Sequence, residues 1–236
     1  MSAMLHPDIE TASPSDVRRH QETLWARQWD YVRNASRFYG AKLGSATAGA
    51  IDLDRLAELP LTDKEEIRAA QAQHEPFGTH VACAPEKIIR IHRTSGTTGR
   101  ALVIAATAHD AATTARLGGR GYFASGLRPG DRVVHCLNYC LWTGGVTDHL
   151  ALEAAGATVI PYGTGGTDGL IAAMRELGVN AISCTPSYPA LLEQALRDRF
   201  GIEPRALKLR LGLFGGEAGL DNPGFRARLE AAWGFG

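Results

Sequence analysis

Four apolar runs decide the fold: RVVHCL at 132–137, ATVIPY at 157–162, NAISCT at 180–185 and LRLGLF at 209–214. Strands that are buried on both faces have such continuous apolar sequences. Helix-like segments separate the runs, at about 145–156, 167–178 and 187–199. This alternation predicts an α/β fold, with a largely parallel sheet, flanking helices and right-handed crossovers.

The sequence before residue 80 has a different pattern and predicts a helical N-terminal arm. Ser13 and Pro14 are typical of a helix start, and an amphipathic stripe follows at Val17, Leu24, Trp25, Trp29 and Val32. A second helix is expected to begin at a capping box, with Thr62 at the N-cap and Glu65 at N3, and to end near Gln73. Two strand-like runs then follow, KIIRIH at 87–92 and ALVIAAT at 101–107.

Composition excludes several classes of protein. The 236 residues carry 25 Lys+Arg against 25 Asp+Glu, and a net charge of zero argues against a general electrostatic grip on nucleic acid or on anionic lipid. No run approaches the length of a transmembrane helix, and the N-terminus does not resemble a secretory signal. Four cysteines are too few for a disulfide scaffold, so we expect reduced thiols and a cytoplasmic protein.

In parallel α/β sheets, ligands bind beyond the carboxyl ends of the strands, so the loops are where chemistry is expected. One glycine- and hydroxyl-rich loop lies between the strand-like runs 87–92 and 101–107, and its sequence is Arg93-Thr94-Ser95-Gly96-Thr97-Thr98-Gly99-Arg100. Exposed backbone N–H groups, hydroxyls and the Arg100 cation suit phosphate oxygens. The spacing is not that of a Walker A loop, and a simple β-hairpin turn is an equal alternative.

Two further loops follow the strand-like runs. Tyr139 and Trp142 stand beside Gly144 and Gly145 after the run 132–137, and two aromatic rings there could line a flat apolar pocket. Taken alone, a Trp at this position is more often a core residue. After the run 209–214 come Gly215, Gly216 and Glu217, where backbone without side chains would let an adenine ring approach, unless this is only a tight turn.

Ordered motifs along nearly the whole chain resemble the phenylacetate–CoA ligases of the AMP-forming, adenylate-forming superfamily. The sequence Ser95-Gly96-Thr97-Thr98-Gly99 is similar to the family's phosphate-loop motif, and Tyr139-x-x-Trp142-Thr143-Gly144-Gly145 to its Tyr-Gly-Leu-Phe-Thr-Gly-Gly. Four shorter matches support the resemblance: Leu59-Pro60-Leu61-Thr62-Asp63-Lys64, Pro76-Phe77-Gly78, Thr185-Pro186-Ser187-Tyr188 and Phe214-Gly215-Gly216-Glu217.

The resemblance implies activation of an aromatic or arylacetic carboxylate by ATP and Mg²⁺ to acyl-AMP, then transfer of the acyl group to coenzyme A. It implies nucleotide contacts by Thr94, Ser95, Gly96, Thr97, Thr98, Gly99, Arg100, Gly215, Gly216 and Glu217, and acid contacts by Tyr139, Trp142, Thr143 and Gly144. The arm would then span 1–80, and a nucleotide- and acid-binding subdomain 81–236. No catalytic residue is assigned, because the family's adenylation Lys belongs to a later C-terminal domain. We therefore expect an N-terminal portion that needs further elements for the reaction.

Four positions depart from the family pattern. Arg100 stands where Lys is usual, and a planar forked cation is not equivalent to a point charge. Ala101 replaces a common Pro. Trp142 replaces Phe and Cys140 replaces Gly, so a narrower pocket and a smaller or differently shaped acid are expected.

Other interpretations remain open at this stage. The chain could be a nucleotide- or partner-binding module without chemistry, or one half of a split ligase. The acceptor could be a carrier-protein thiol instead of coenzyme A, and a sheet edge could support a homodimer. A zinc site is a weaker hypothesis, since His135, Cys136, Cys140 and His149 lie close in sequence but lack a paired-ligand spacing.

Overall fold

The computed structural model describes residues 4–44, 51–96 and 100–235, so the predicted loop residues Thr97, Thr98 and Gly99 lie outside the described part. The chain forms two compact units. One is His6–Ala111, and the other is Ala112–Gly236 together with Met1–Leu5. The boundary near residue 80, between the helical arm and the subdomain that binds nucleotide and acid, stays a prediction. The compact unit that holds the N-terminal helices extends past this boundary to Ala111.

The unit His6–Ala111 consists of helices followed by a β-hairpin. Its helices are α1 (Pro7–Glu10), α2 (Pro14–Ala35), α3 (Arg37–Gly44) and α4 (Lys64–Gln73), with 3₁₀ turns at Leu53–Glu58 and Pro85–Lys87. Its strands are β1 (Ile88–Arg93) and β2 (Val103–Thr107), which pair antiparallel. The phosphate-type loop predicted from the sequence therefore connects the two strands of a hairpin.

Local signals set the starts of α2 and α4. Ser13 accepts a hydrogen bond from the Asp16 N–H at 3.2 Å, as expected for its N-cap, and Trp29 is buried in the packed stripe. The predicted cap of α4 was wrong by one residue. Asp63 is the N-cap, because its side-chain carboxylate accepts a hydrogen bond from the Glu66 N–H at 2.9 Å. The Glu66 side chain accepts from the Asp63 N–H in return and completes the capping box.

The unit that contains Ala112–Gly236 is built on a parallel sheet. Helix α5 (Ala108–Ala124) leads into it, and the following elements are β3 (Arg132–His135), α6 (Thr143–Ala154), β4 (Thr158–Pro161), α7 (Thr167–Glu176), β5 (Ala181–Cys184), α8 (Tyr188–Ala195), β6 (Leu211–Phe214) and α9 (Pro223–Trp233). The strand order is β4-β3-β5-β6 and every pairing is parallel. The parallel α/β class predicted from the four apolar runs is confirmed.

Alternate residues of each strand enter opposite cores, as expected for a sheet covered on both faces. Val133 packs with Phe123 of α5 and Leu152 of α6. Val134 packs on the other face with Leu170 of α7 and Trp233 of α9. The strands are therefore held between two helical layers, and their carboxyl ends are left to the loops.

Helix α5 was not predicted from the sequence. Its segment contains Gly118 and Gly119, and glycine disfavours a helix interior. The structure gives the reason for these glycines. A Cβ on Gly118 would lie 2.6 Å from the Ala151 Cβ, and one on Gly119 would lie 3.0 Å from the Ala154 Cβ. Close packing of α5 on α6 compensates for poor helix propensity.

No helix in the described ranges is both long and apolar enough to cross a membrane.

Candidate active site

Three loops leave the carboxyl ends of neighbouring strands in the parallel sheet. They follow β3, β5 and β6, which lie side by side in the order β3-β5-β6. The predicted aromatic loop follows β3, and the predicted glycine loop follows β6. The topology therefore brings together two segments that are more than 70 positions apart in the sequence.

The indole of Trp142 connects these loops. A Cβ on Gly216 would lie 3.3 Å from the Trp142 Cη2 and 3.6 Å from the Thr185 Cγ2. A Cβ on Gly144 would lie 2.6 Å from the same indole carbon. Trp142 is half-buried and is not a core residue, so glycines at 144 and 216 leave the space that its ring occupies.

The turn before Trp142 has an unusual backbone. Asn138 accepts a hydrogen bond from the Cys140 N–H through its Oδ1 at 2.8 Å, and Leu141 has a φ of +59°. A positive φ at a bulky residue is strained and persists only where the surroundings determine it. Gly145 is buried against the Asn138 carbonyl, which leaves no room for a Cβ. This turn delivers Trp142 and Thr143 to the start of α6.

Tyr139 lies in the same loop, half-buried. Its hydroxyl is 2.9 Å from the Nδ1 of His149, and its ring meets the His135 ring edge-on at 5.5 Å. A Cβ on Gly163 would be 3.4 Å from the Tyr139 ring. Burial, with the nearby Cys136 and Glu153 as lesser causes, raises the pKa of Tyr139 to about 12. The phenol is therefore neutral near pH 7.

His135 supports the loop from below and is fully buried. Its Nε2 is 3.0 Å from the Gly145 carbonyl, so Nε2 carries the proton and donates. Its Nδ1 then accepts from the Ser183 hydroxyl at 3.0 Å. Burial lowers the pKa of His135, which favours this neutral ring.

The loop after β6 presents backbone. Gly216 has a φ of +83°, and a Cβ on Gly215 would meet no atom of the described residues within 4 Å. Glu217 is exposed, and its carboxylate accepts a hydrogen bond from the Ser187 N–H at 3.2 Å. This bond joins the loop after β6 to the loop after β5.

The predicted phosphate-type loop belongs to the other compact unit. Thr94 closes the hairpin, since its N–H donates to the Leu102 carbonyl at 3.0 Å and its Oγ1 accepts from the Leu102 N–H at 2.9 Å. Ser95 is exposed and Gly96 has a φ of +70°. The Thr94 hydroxyl proton remains available to a further acceptor, because Oγ1 acts as acceptor in the hairpin bond.

Arg100 has a partner that the sequence did not suggest. Its guanidinium is hydrogen-bonded to the carboxylate of Glu75, which lies just after α4. This hydrogen bond holds the pKa of Glu75 below its usual range. An open pocket of about 240 Å³ lies here, lined by Gln71, Glu75, Pro76, Arg93, Arg100, Ala101 and Val103.

Gln71 is the buried residue that fixes the wall of this pocket. Its amide donates to the Val103 carbonyl at 2.6 Å and accepts from the Val103 N–H at 3.1 Å. The Gln71 side chain thus makes the same pair of hydrogen bonds to the backbone of β2 that a neighbouring strand would make. A glutamine in an amphipathic helix carries no sequence signal for this role, so only the structure reveals it.

The zinc hypothesis has no support in the geometry. Within the described ranges, no group of three or more His, Cys, Asp or Glu side chains is arranged to hold a metal ion. His135 and His149 use their ring nitrogens in hydrogen bonds to other residues. Cys136 is buried, and burial raises the pKa of its thiol to about 12. A thiol with such a pKa is a poor metal ligand near neutral pH.

A parallel sheet with loops at its carboxyl ends defines an α/β protein of the class whose ligands bind beyond the strand ends, and a separate glycine-rich loop connects the two strands of a hairpin. The model of the AMP-binding enzyme family matches residues 41–222, and the chain belongs to this family. Phenylacetate-coenzyme A ligase of Pseudomonas putida is 37% identical over 224 residues, covering 93% of this chain and 49% of the relative. Phenylacetate-coenzyme A ligase of Thermus thermophilus is 34% identical, covering 91% and 47%. The predicted resemblance is confirmed.

Solved structures agree with the fold. A 2-hydroxyisobutyryl-CoA ligase in complex with 2-HIB-AMP and CoA, in the thioesterification state, superimposes with a TM-score of 0.90 at 28% identity, covering 99% of this chain and 50% of that one. An open conformation of a 2-hydroxyisobutyryl-CoA ligase gives 0.81 at 26% identity, covering 93% and 47%. The chain spans about half the length of the curated relatives it matches.

Proposed function

We propose that this chain binds ATP and an aromatic or arylacetic carboxylate, as the portion of an AMP-forming acid–thiol ligase that forms acyl-AMP. The observation that carries the proposal is the contact of Trp142, after β3, with Gly216, after β6. The two residues lie where the candidate acid-binding surface meets the candidate adenine-binding surface. Membership of the AMP-binding enzyme family supports the same assignment.

ATP, when bound, supplies an α-phosphorus that a carboxylate oxygen can attack and a pyrophosphate that can leave. The residues of this chain bind and orient the two partners. Gly215 and Gly216 would border the adenine, because no atom of the described residues lies within 4 Å of the position that a Cβ on Gly215 would take. Glu217 would hold this border in place through its bond to the Ser187 N–H. Catalysis of this kind is mainly positioning.

The loop from Thr94 to Arg100 would hold the pyrophosphate side. The Thr94 hydroxyl can donate, and Arg100 offers a fork of N–H donors once it exchanges Glu75 for phosphate oxygens. Developing negative charge on a leaving group is stabilised best by donors fixed in advance. We assign no protein ligand to Mg²⁺, which the phosphates themselves would bind.

The acid would lie against Tyr139 and Trp142, with Thr143 and Gly144 at the start of α6 beside its carboxylate. An aryl ring suits two aromatic walls. The indole of Trp142 reduces the space available to the acid, since the tip of its ring lies beside both Gly144 and Gly216. We therefore favour a compact aryl or arylacetic acid. The likeness to phenylacetate-coenzyme A ligases supports an aryl acid, and the likeness to a 2-hydroxyisobutyryl-CoA ligase is the reason to test small acids as well.

The acceptor we propose is coenzyme A, as in the names of the curated relatives. A carrier-protein thiol is the alternative acceptor. We further propose residues 1–80 as an arm and 81–236 as the subdomain that binds nucleotide and acid, in a cytoplasmic protein able to form a homodimer. None of these proposals involves nucleic acid or a membrane.

The test is calorimetric titration of this 236-residue chain with ATP and with a panel of benzoic, phenylacetic and short 2-hydroxy acids. Binding is measured instead of exchange, because adenylation itself is expected to need further elements. Saturable binding of ATP and of an aryl acid is the expected result and names the acid class. Binding of short aliphatic acids alone would contradict the aryl assignment, and binding of ATP without any acid would instead support a nucleotide-binding module.

A further inference from the structure

We propose that His149 and Glu153 are positioning residues that hold the Tyr139 phenol in the acid pocket. The inference rests on the proposed function, because that function makes Tyr139 a wall for the acid. It adds two residues that no motif singled out for this role. Neither needs to touch the substrate, and both act through Tyr139.

The three side chains form a continuous hydrogen-bonded row. The Tyr139 hydroxyl is 2.9 Å from His149 Nδ1, and His149 Nε2 is 3.0 Å from a carboxylate oxygen of Glu153. His149 and Glu153 lie four residues apart on α6, so they share one face of that helix. The row therefore ties a loop residue to a regular and rigid element.

The chemistry of the row fixes the position of each proton. A carboxylate only accepts, so Nε2 of His149 carries a hydrogen and donates it to Glu153. In the neutral ring Nδ1 is then a bare acceptor, and the Tyr139 hydroxyl must donate to it. The pKa of Tyr139 is raised to about 12, so this hydroxyl keeps its proton across the physiological range. Glu153 thus determines which ring nitrogen of His149 carries the hydrogen. The other nitrogen, Nδ1, then determines where the Tyr139 hydroxyl points.

The other side of the ring is held independently. His135 meets it edge-on at 5.5 Å, and both ring nitrogens of His135 are bound, to Ser183 and to the Gly145 carbonyl. With the hydroxyl bound to His149, the phenol is contacted by two histidines on different elements, His135 of β3 and His149 of α6. The phenol is pre-oriented before any acid arrives, which lowers the ordering cost of binding.

The experiment combines two measurements on the same chain. ¹⁵N NMR of the imidazoles reports the tautomer of His149, and fluorescence titration with phenylacetate reports the acid Kd. We expect the Nε2–H tautomer in the unchanged chain and mixed tautomers in Glu153→Leu, which removes the oxygen acceptor. We expect His149→Phe to weaken acid binding by about fivefold to tenfold, the value of one lost hydrogen bond. His149→Asn should recover most of that loss, because its Oδ1 can accept from Tyr139.

The control is Glu230→Leu, which removes the carboxylate from a second i,i+4 pair, Arg226–Glu230 on α9. It should change neither measurement, and ATP affinity should stay the same in all variants. An unchanged His149 tautomer in Glu153→Leu, or unchanged acid affinity in His149→Phe, would overturn the proposal. If the unchanged chain binds no acid, the proposed function fails. The NMR result then still decides whether Glu153 sets the ring that holds Tyr139.

Discussion

The indole of Trp142 lies against the backbone of Gly216, so that a Cβ on Gly216 would be 3.3 Å from the Trp142 Cη2. One residue belongs to the loop after β3 and the other to the loop after β6. Their contact is the point where the candidate acid wall meets the candidate nucleotide border. Changes on either side of it should therefore affect both ligands.

Gly216→Ala tests the nucleotide side of this contact. The added methyl must fit beside the indole at a φ of +83°, so we expect weaker binding of both ATP and acid. The backbone strain alone should lower the free energy of unfolding by about 1 kcal/mol. Gly201→Ala is the matched control, since Gly201 has a φ of +62° and open space around its Cβ position. Calorimetric titration should find a loss of affinity only for Gly216→Ala; equal affinities in both variants would disprove a role for position 216.

Trp142→Phe tests the acid side. A smaller ring enlarges the pocket, so we expect bulkier arylacetic acids to bind more tightly and the smallest acids more weakly. The ratio of Kd values should shift by about 10-fold, which is the effect of one or two methylene-sized groups in an apolar pocket. Trp29→Phe serves as control, because Trp29 is buried in the other compact unit and should affect only stability. The same acid preference in Trp142→Phe as in the unchanged chain would exclude Trp142 from the pocket.

Glu75→Gln tests the partner of Arg100. Removing the carboxylate charge releases the guanidinium, so pyrophosphate should bind about twofold to threefold more tightly, in keeping with an exposed ion pair. Arg100→Gln should weaken pyrophosphate binding, and both effects should shrink as salt increases. Glu58→Gln, in the exposed Arg55–Glu58 pair, is the control and should change nothing. If Glu75→Gln weakens pyrophosphate binding, the carboxylate does not compete for Arg100.

Asp131→Asn tests the opposite, amino end of the sheet. Burial by itself would raise the pKa of Asp131, but hydrogen bonds from Arg210, the Arg128 N–H and Asn180 outweigh it and hold the pKa below its usual value. A lowered folded-state pKa contributes stability above the unfolded pKa of about 3.9, and this stability is lost as pH falls through the folded value. We expect the variant to lose about 1–3 kcal/mol near pH 7.

The difference between Asp131→Asn and the unchanged chain should shrink as the pH of urea unfolding falls from 6 toward 3. Asp168→Asn is the control, because its ion pair with Arg199 is exposed on both sides. A stability difference that grows on acidification would show that Asp131 is not held ionised by its partners.

The sequence predicted the parallel sheet because each of its strands is a short run of apolar residues between helix-like segments. The start of α9 at Asn222-Pro223 was also readable, since an N-cap side chain followed by proline is a local signal, and Asn222 accepts from the Gly224 N–H at 2.9 Å. Helix α5 was not readable. Its interior glycines disfavour a helix locally, and their benefit appears only when α6 packs against them.

The residues of the candidate site also fall into two groups, those that the sequence indicated and those that only the structure reveals. Trp142, Gly144 and Gly216 could be selected from motifs, but their proximity became evident only from the strand order β3-β5-β6 of the structure. Glu75 and Glu153 were not selected, and His149 was selected only as a candidate zinc ligand, because each forms a hydrogen bond whose partner lies on another segment or one helical turn away. Such pairings depend on side-chain geometry that a residue pattern does not contain.

The most direct test of the central claim is binding of a stable acyl-AMP mimic, phenylacetyl-sulfamoyl-adenosine, to the 236-residue chain by calorimetry. The mimic joins the acid and the adenosine in one molecule, so it must occupy both sides of the Trp142–Gly216 contact. We predict saturable binding at one molecule per chain, weakened in Gly216→Ala and unchanged in Gly201→Ala. No binding, or equal binding by both variants, would contradict a shared acid and nucleotide site at this contact.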